Sequence, residues 1–270
     1  MTAGGTVAAD TPFRQRRPKS GAPPVLATRG LRKEFAGFVA VNDVSLDLHD
    51  GQIKALIGPN GAGKSTVFNL LTKFLKPTAG TIEFMGKDIT GLDPAHVARL
   101  GLVRSFQISA VFPHLTVRDN VRVALQRPQG LGHQFWLGLG ALDRLTARAD
   151  ELLAAVGLAS HADELAADLS YGRKRVLEIA TTLALDPRVL LLDEPMAGMG
   201  HEDVGQVARL IARVAEDRAV LMVEHNLKVV ADLCDEIVVL QRGEIIAEGD
   251  YATVSRNPQV REAYMGRADA

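Results

Sequence analysis

Gln52-Ile53-Lys54-Ala55-Leu56-Ile57-Gly58-Pro59-Asn60-Gly61-Ala62-Gly63-Lys64-Ser65-Thr66-Val67-Phe68-Asn69-Leu70-Leu71 is the stretch on which the fold turns. It opens with an apolar run that suits a strand and passes through a glycine-rich loop. It then enters a helix predicted over Lys64 to Leu75, ended by Lys76-Pro77-Thr78-Ala79-Gly80. Between strand and helix, Gly58-Pro59-Asn60-Gly61-Ala62-Gly63-Lys64-Ser65 has the spacing of a loop that cradles phosphate. Its glycines let the backbone curl so that successive N–H groups point at phosphate oxygens, and the positive end of the helix adds a favourable field. In that geometry Lys64 reaches the β- and γ-phosphates, the Ser65 hydroxyl ligates Mg²⁺ and Thr66 meets further phosphate oxygens.

Upstream, Val25 to Phe35 and Val44 to Leu48 alternate or cluster apolar residues between Gly and Asp turns, and downstream Thr81 to Met85 returns to a strand. From about Pro94 to Ala184 the pattern is mostly helical, with helices predicted at Val117 to Gln126, Leu142 to Val156 and Tyr171 to Ala184. This stretch reads as a separate lobe. Within it, the glycine-rich Arg127 to Gly140 carries Phe135 and the only tryptophan, Trp136; exposed, these rings suit a partner contact, and buried, a satellite core. Val189 to Leu192 and Ala219 to Val223 are continuous apolar runs suited to strands buried on both faces, separated by a helical stretch from His201 to Glu216. Ile237 to Leu240 and Glu244 to Ala247, joined through Arg242-Gly243, read as a hairpin, with a helix following toward Tyr264.

Composition narrows the function classes. With 270 residues, 47% hydrophobic and 23% charged, the chain can bury a sizeable core. Its 31 basic residues balance 32 acidic ones, so no global charge recruits nucleic acid or anionic lipid. The single cysteine, Cys234, cannot close an intrachain disulfide, a usage that fits a reducing cytoplasm, and the seven histidines show no metal-cage spacing. The longest apolar runs fall far short of the roughly 20 residues a membrane-spanning helix needs. Residues 1–24 are rich in Ala, Gly, Thr and Pro, with Arg14, Arg16, Arg17 and Lys19 close together; they read as a disordered tail, or as a weak membrane-surface or partner contact.

The second half of the chemistry follows the Val189 strand. It delivers Asp193 at its end, where a carboxylate can hold Mg²⁺ directly or through water, and Glu194 comes next. Neighbouring strand-end carboxylates can divide the labour, so Asp193 is assigned to metal and Glu194 to the catalytic base. His225, just past the Ala219 strand, stands where an imidazole can meet the γ-phosphate and the water, or can serve as a structural strand-end residue.

This order of motifs, with Leu169-Ser170-Tyr171-Gly172-Arg173 ahead of the Asp193 strand, resembles the ATPase subunits of ABC transporters. The resemblance covers about residues 25–266 and implies an α/β fold: a P-loop NTPase core with an N-terminal antiparallel β subdomain, an inserted helical subdomain at about 108–184, and a short tail at 267–270. It implies ATP and Mg²⁺ as cofactors. Ser170 and Gly172, opening a helix, would cap the nucleotide of the opposite subunit, a role compatible with a plain helix N-cap. Gln107 resembles the glutamine that touches metal and water while relaying motion to the membrane subunits. Phe35 resembles the aromatic that stacks on adenine, its alternative being core packing. Leu177-Glu178-Ile179-Ala180, Glu194-Pro195-Met196-Ala197-Gly198-Met199, Val223-Glu224-His225-Asn226 and Glu262-Ala263-Tyr264-Met265-Gly266-Arg267 resemble the branched-chain amino acid importer group.

The partners so implied are a second ABC ATPase subunit, identical or paralogous, two transmembrane permease subunits and, through them, an extracytoplasmic solute-binding protein. The location implied is peripheral, on the cytoplasmic face of the membrane, with the permeases docked near Gln107 to Leu115 and Gln129 to Gly140. The cargo stays open among leucine-like amino acids, urea, short amides and aromatic acids. Three positions depart from the commoner family pattern: Tyr171 stands for Gly, Arg173 for Gln and Gly200 for Asp, the last removing a carboxylate from any cross-dimer link. A nucleic-acid-acting ABC ATPase would carry a coiled-coil insert, a second ATPase domain or a basic surface, and a GTPase an Asn-Lys-x-Asp motif; the sequence has none of these.

Overall fold

In the computed structural model, residues 21–105, 111–126 and 139–265 are described; Gln107, Phe135, Trp136 and most of both expected tails lie outside them. β1 (Leu26–Phe35) and β2 (Phe38–Leu48) form an antiparallel hairpin across Ala36-Gly37, while β3 (Ile53–Ile57) leaves for a second sheet. After α1 (Lys64–Leu71), β4 (Ala79–Phe84) and β5 (Lys87–Asp88) complete the first sheet in the order β2-β1-β4-β5. α2 (Pro94–Leu100) then precedes β6 (Leu102–Ser105), and α3 (Val117–Gln126), α4 (Leu139–Val156) and α5 (Tyr171–Leu183) pack on one another. The chain returns through β7 (Val189–Asp193), α6 (His201–Val214), β8 (Ala219–Val223) and α7 (Leu227–Leu233). It finishes with the hairpin β9 (Glu236–Gln241) and β10 (Glu244–Gly249), then α8 (Tyr251–Arg256) and α9 (Pro258–Met265).

The second sheet runs β10-β9-β3-β8-β7-β6, parallel throughout except for the β9–β10 hairpin. Successive side chains of a strand point to opposite faces, so its central strands feed two cores at once. Leu190, Leu192, Val220, Met222, Ile237 and Val239 join α3 to α7 on one face. Val189, Leu191, Leu221, Val223, Val238 and Leu240 join α1 and the antiparallel sheet on the other.

Four expectations change. Leu102–Ser105, read into the helical middle, is a strand: four residues are too few to show a period, and pairing with β7 fixes them. α7 was not predicted; seven residues long, it is nucleated by Asn226, whose Oδ1 accepts the N–H groups of Lys228 (3.1 Å) and Val229 (3.3 Å). The terminal helix is two helices, because Pro258 has no N–H to give to a continuing ladder, and Asn257 caps the second through Gln259 N–H at 2.9 Å. Finally, α1 stops at Leu71 rather than Leu75, since Lys73 sits at φ +64°.

Lys73 is 5% exposed, and its ammonium has no hydrogen-bond partner among the described residues. Burial pushes its pKa down against the opposing pull of Asp88. Lys73→Met keeps the aliphatic stem and removes the ammonium, so it should raise stability by about 1–2 kcal/mol at neutral pH. The unfolded state binds the extra proton between the lowered pKa and the ordinary lysine value, so wild-type stability rises with pH there. The advantage of the variant should therefore shrink as pH approaches 10.5, which denaturant melts at several pH values will read.

Candidate nucleotide site

β3, β7 and β8 end level with one another: Leu56 lies opposite Val223, and Val223 opposite Asp193. The residues that follow, Gly58, Glu194 and Glu224-His225, therefore share one sheet edge, the carboxyl end where α/β sheets bind ligands.

The phosphate loop is clamped from behind by late parts of the chain. At Gly58, φ +153°, an added Cβ would lie 2.2 Å from the Leu240 carbonyl oxygen. At Gly63, φ +105°, it would lie 2.6 Å from that of Ala40, so both positions require glycine. Gly243 N–H, in the β9–β10 turn, donates to Ala62 O at 2.9 Å, and Asn42 N–H donates to Gly243 O at 2.8 Å. On α9, partial burial pushes the Tyr264 phenol up to about 12, with the Gly58 backbone opposing the rise. In the loop itself, Lys64 Nζ donates to the carbonyls of Gly58 (2.7 Å) and Pro59 (3.0 Å). Burial lowers the Lys64 pKa, while Glu194 and Asp193 pull it back up.

Glu194 has φ +47°, a left-handed backbone that a non-glycine residue holds only where its surroundings enforce it. They do so here. Its N–H donates to Val223 O at 2.9 Å, and Arg175 Nη2 donates to the carbonyls of Asp193 (2.8 Å) and Glu194 (3.2 Å). Arg175 is buried on α5, reaches Pro195 O through Nε and pairs with the equally buried Glu178. The Glu194 carboxylate meets His225 Nε2 at 2.8 Å. Behind it, buried Glu224 accepts the N–H groups of Met196 (3.0 Å) and His225 (3.0 Å); burial raises its pKa and these hydrogen bonds oppose the rise. The Asp193 side chain is paired with Arg104 of β6.

Sequence reasoning brought Lys64, Asp193, Glu194 and His225 to this edge. Phe35 lies at the tip of the β1–β2 hairpin, 42% exposed with the Lys33 ammonium 4.9 Å from its ring centroid, so it is not a core ring. Ser170 caps α5 by accepting Arg173 N–H at 3.4 Å, and Gly172 lies against the Asp203 carboxylate. α5 packs on the sheet face opposite α1. Gln107 lies outside the described residues. Arg104, Arg175, Glu224 and Tyr264 were not singled out for any contact of their own; the one available signal was charge placed inside apolar stretches, as in Leu102-Val103-Arg104 and Arg175-Val176-Leu177-Glu178.

A glycine loop gripping its own lysine, with paired strand-end carboxylates beside it, defines a phosphate-loop nucleoside triphosphatase. Residues 41–197 match the family model for ABC transporters, and residues 244–270 that for branched-chain amino acid ATP-binding cassette transporters. The chain is 40% identical to the high-affinity branched-chain amino acid transport ATP-binding protein LivG of Salmonella typhimurium, over 91% of this chain and 99% of that one. Identity to BraF of Pseudomonas aeruginosa is also 40%, with the same coverage. The crystal structure of the ADP conformation of MJ1267, an ATP-binding cassette of an ABC transporter, superposes with a TM-score of 0.78 at 30% identity, covering 90% of this chain and 98% of that one. The chain belongs to the ABC transporter ATPases, in the group of branched-chain amino acid transport ATP-binding proteins. It is an ATPase subunit whose hydrolysis is coupled to transport.

Arg175→Ala should cost about 3–5 kcal/mol in denaturant unfolding, because Glu178 is left buried without that partner.

Proposed function

We propose that the chain energises import of branched-chain amino acids from the cytoplasmic face of the membrane. In this reading it works as a pair with an identical or paralogous ATPase, on two permease subunits supplied by an extracytoplasmic solute-binding protein. The hydrolytic part rests on the pinned Glu194, its carboxylate on His225 and its backbone held next to Asp193. The cargo rests on likeness to LivG and BraF along nearly the whole chain, and on the match at residues 244–270. Among the described residues no helix is long and apolar enough to cross a membrane, so passage of cargo falls to partners.

In this reading Glu194 polarises the attacking water and His225 fixes the direction of its carboxylate. Lys64 exchanges the Gly58 and Pro59 carbonyls for phosphate oxygens, and the loop N–H groups of Asn60, Gly61, Ala62, Gly63, Lys64, Ser65 and Thr66 surround the phosphates, while Pro59, which has no N–H, and Gly58 shape the turn into the loop. The Ser65 hydroxyl and Asp193 carboxylate, with Gln107, are hard oxygen donors of the kind Mg²⁺ takes. Bound there, Mg²⁺ supplies charge neutralisation on the β- and γ-phosphates. Phe35, exposed at its hairpin tip, stacks on adenine. Ser170 and Gly172, on the far face of the sheet from α1, serve the nucleotide of the other subunit.

Of the segments expected to dock the permeases, Gln107 to Leu115 and Gln129 to Gly140, only residues 111–115 and 139–140 are described; docking is assigned here instead to a cavity of about 460 Å³ between α1, α2, α3, α5 and β6. Its lining includes Phe74, Ala98, Val103, Val123 and Leu185, and Phe74 is an exposed large apolar ring.

The test is uptake of labelled leucine by cells lacking the chain and complemented with wild type, Glu194→Gln or Ala98→Asp. Only wild type should restore uptake, and only aliphatic amino acids should compete, with urea and aromatic acids failing. Purified Glu194→Gln should bind ATP with ATPase activity reduced about 10²- to 10⁴-fold, and Ala98→Asp should still bind and hydrolyse ATP. Leucine uptake that never depended on the chain removes the cargo assignment, and a fully active Glu194→Gln removes the assignment of the base.

A further inference from the structure

Arg104 is part of no motif, yet its guanidinium is held on three sides beside Asp193. From β6 its Nη2 pairs with Asp193 Oδ2, its Nη1 donates to Asn69 Oδ1 at 2.7 Å, and the guanidinium lies 5.5 Å from the centroid of the Phe68 ring. Asn69 and Phe68 belong to α1, the helix that opens from the phosphate loop. The paired side chains are 11% and 8% exposed. We infer that Arg104 is a positioning residue for Asp193 and that a divalent cation and this guanidinium are alternative partners for the same carboxylate.

The inference rests on the reading of Asp193 as a metal ligand. A carboxylate this buried needs a positive partner, and leaving it without one would be costly. Arg104 meets that need in advance and fixes the orientation of the carboxylate. Two cations at one carboxylate repel each other in a poorly hydrated site, so binding of the second weakens the hold of the first. Arg104 also lines the cavity assigned to the permease, beside Ser105 and Glu178. A guanidinium released from Asp193 therefore changes charge at the cavity wall, which links metal occupancy to the docking face through one side chain.

The experiment uses the full chain with a fluorescent non-hydrolysable ATP analogue, titrated with Mg²⁺ and followed by analogue binding and by thermal midpoint. Arg104→Met should lower the Mg²⁺ concentration for half-saturation by about tenfold. It should lower the midpoint of the metal-free protein more than that of the Mg²⁺-analogue complex. Arg104→Lys keeps the charge and should need nearly the wild-type Mg²⁺ concentration. A purely structural Arg104 would shift both midpoints equally and leave the Mg²⁺ requirement unchanged; that result, or a raised requirement in Arg104→Met, overturns the inference. If Arg104→Met does not fold without metal, Asn69→Ala, which frees one side of the guanidinium, should lower the requirement about twofold, and no change there overturns it equally. If the wild-type protein shows no Mg²⁺ dependence, the metal reading of Asp193 fails and the inference with it.

Discussion

Three parallel strands ending at one level organise everything else in the molecule. The register that sets Leu56 and Asp193 opposite Val223 leaves the phosphate loop, the two carboxylates and the imidazole on a single edge. A slip of one residue would turn every side chain of a strand to the opposite face. Here both faces are committed, Leu190 and Leu192 to one core and Val189 and Leu191 to the other. Alignment of the site is thus enforced by two independently packed cores, and the chemistry inherits its geometry from apolar side chains that never meet a ligand.

On that edge, two arginines hold the end of β7 by different handles. Arg175 comes from α5 and grips main-chain oxygens of Asp193, Glu194 and Pro195, so it fixes where the backbone turns. Arg104 comes from β6 and holds the Asp193 side chain. The unfavourable backbone angle at Glu194 persists because its N–H and C=O are both engaged, the first by Val223 O. Local strain there is offset by hydrogen bonds made elsewhere, and the carboxylate of Glu194 is left to His225.

Much of the fold was legible because its signals are local. The β3–loop–α1 unit, the buried runs of β7 and β8, and α3 and α5 announce themselves through glycine spacing and apolar period, and those elements appear close to where the pattern sets them. What was hidden depends on partners far along the chain. β6 is too short to show a period and exists by pairing with β7, more than eighty residues later. Arg104 and Arg175 are ordinary basic residues until the fold brings Asp193 to them. Phe35 was weighed between core and ligand roles that the sequence alone cannot separate, and its 42% exposure at a hairpin tip decides against the core. The Asn226 cap of α7 was written in the sequence but overshadowed by the neighbouring Glu224-His225.

The phosphate loop is made early in the chain and clamped late. Residues 58–65 leave the ribosome well before Leu240 and Gly243, the residues that back the loop at Gly58 and Ala62. β3 likewise waits for β8 and β9, its two neighbours in the sheet. A growing chain can therefore display the complete nucleotide-binding motif while lacking the surfaces that give it shape, and a product stopped short of β9 carries the motif without its clamp. The shape of the cradle is thus a long-range property: a motif read in eight consecutive residues is held in place by a turn about 180 residues further along.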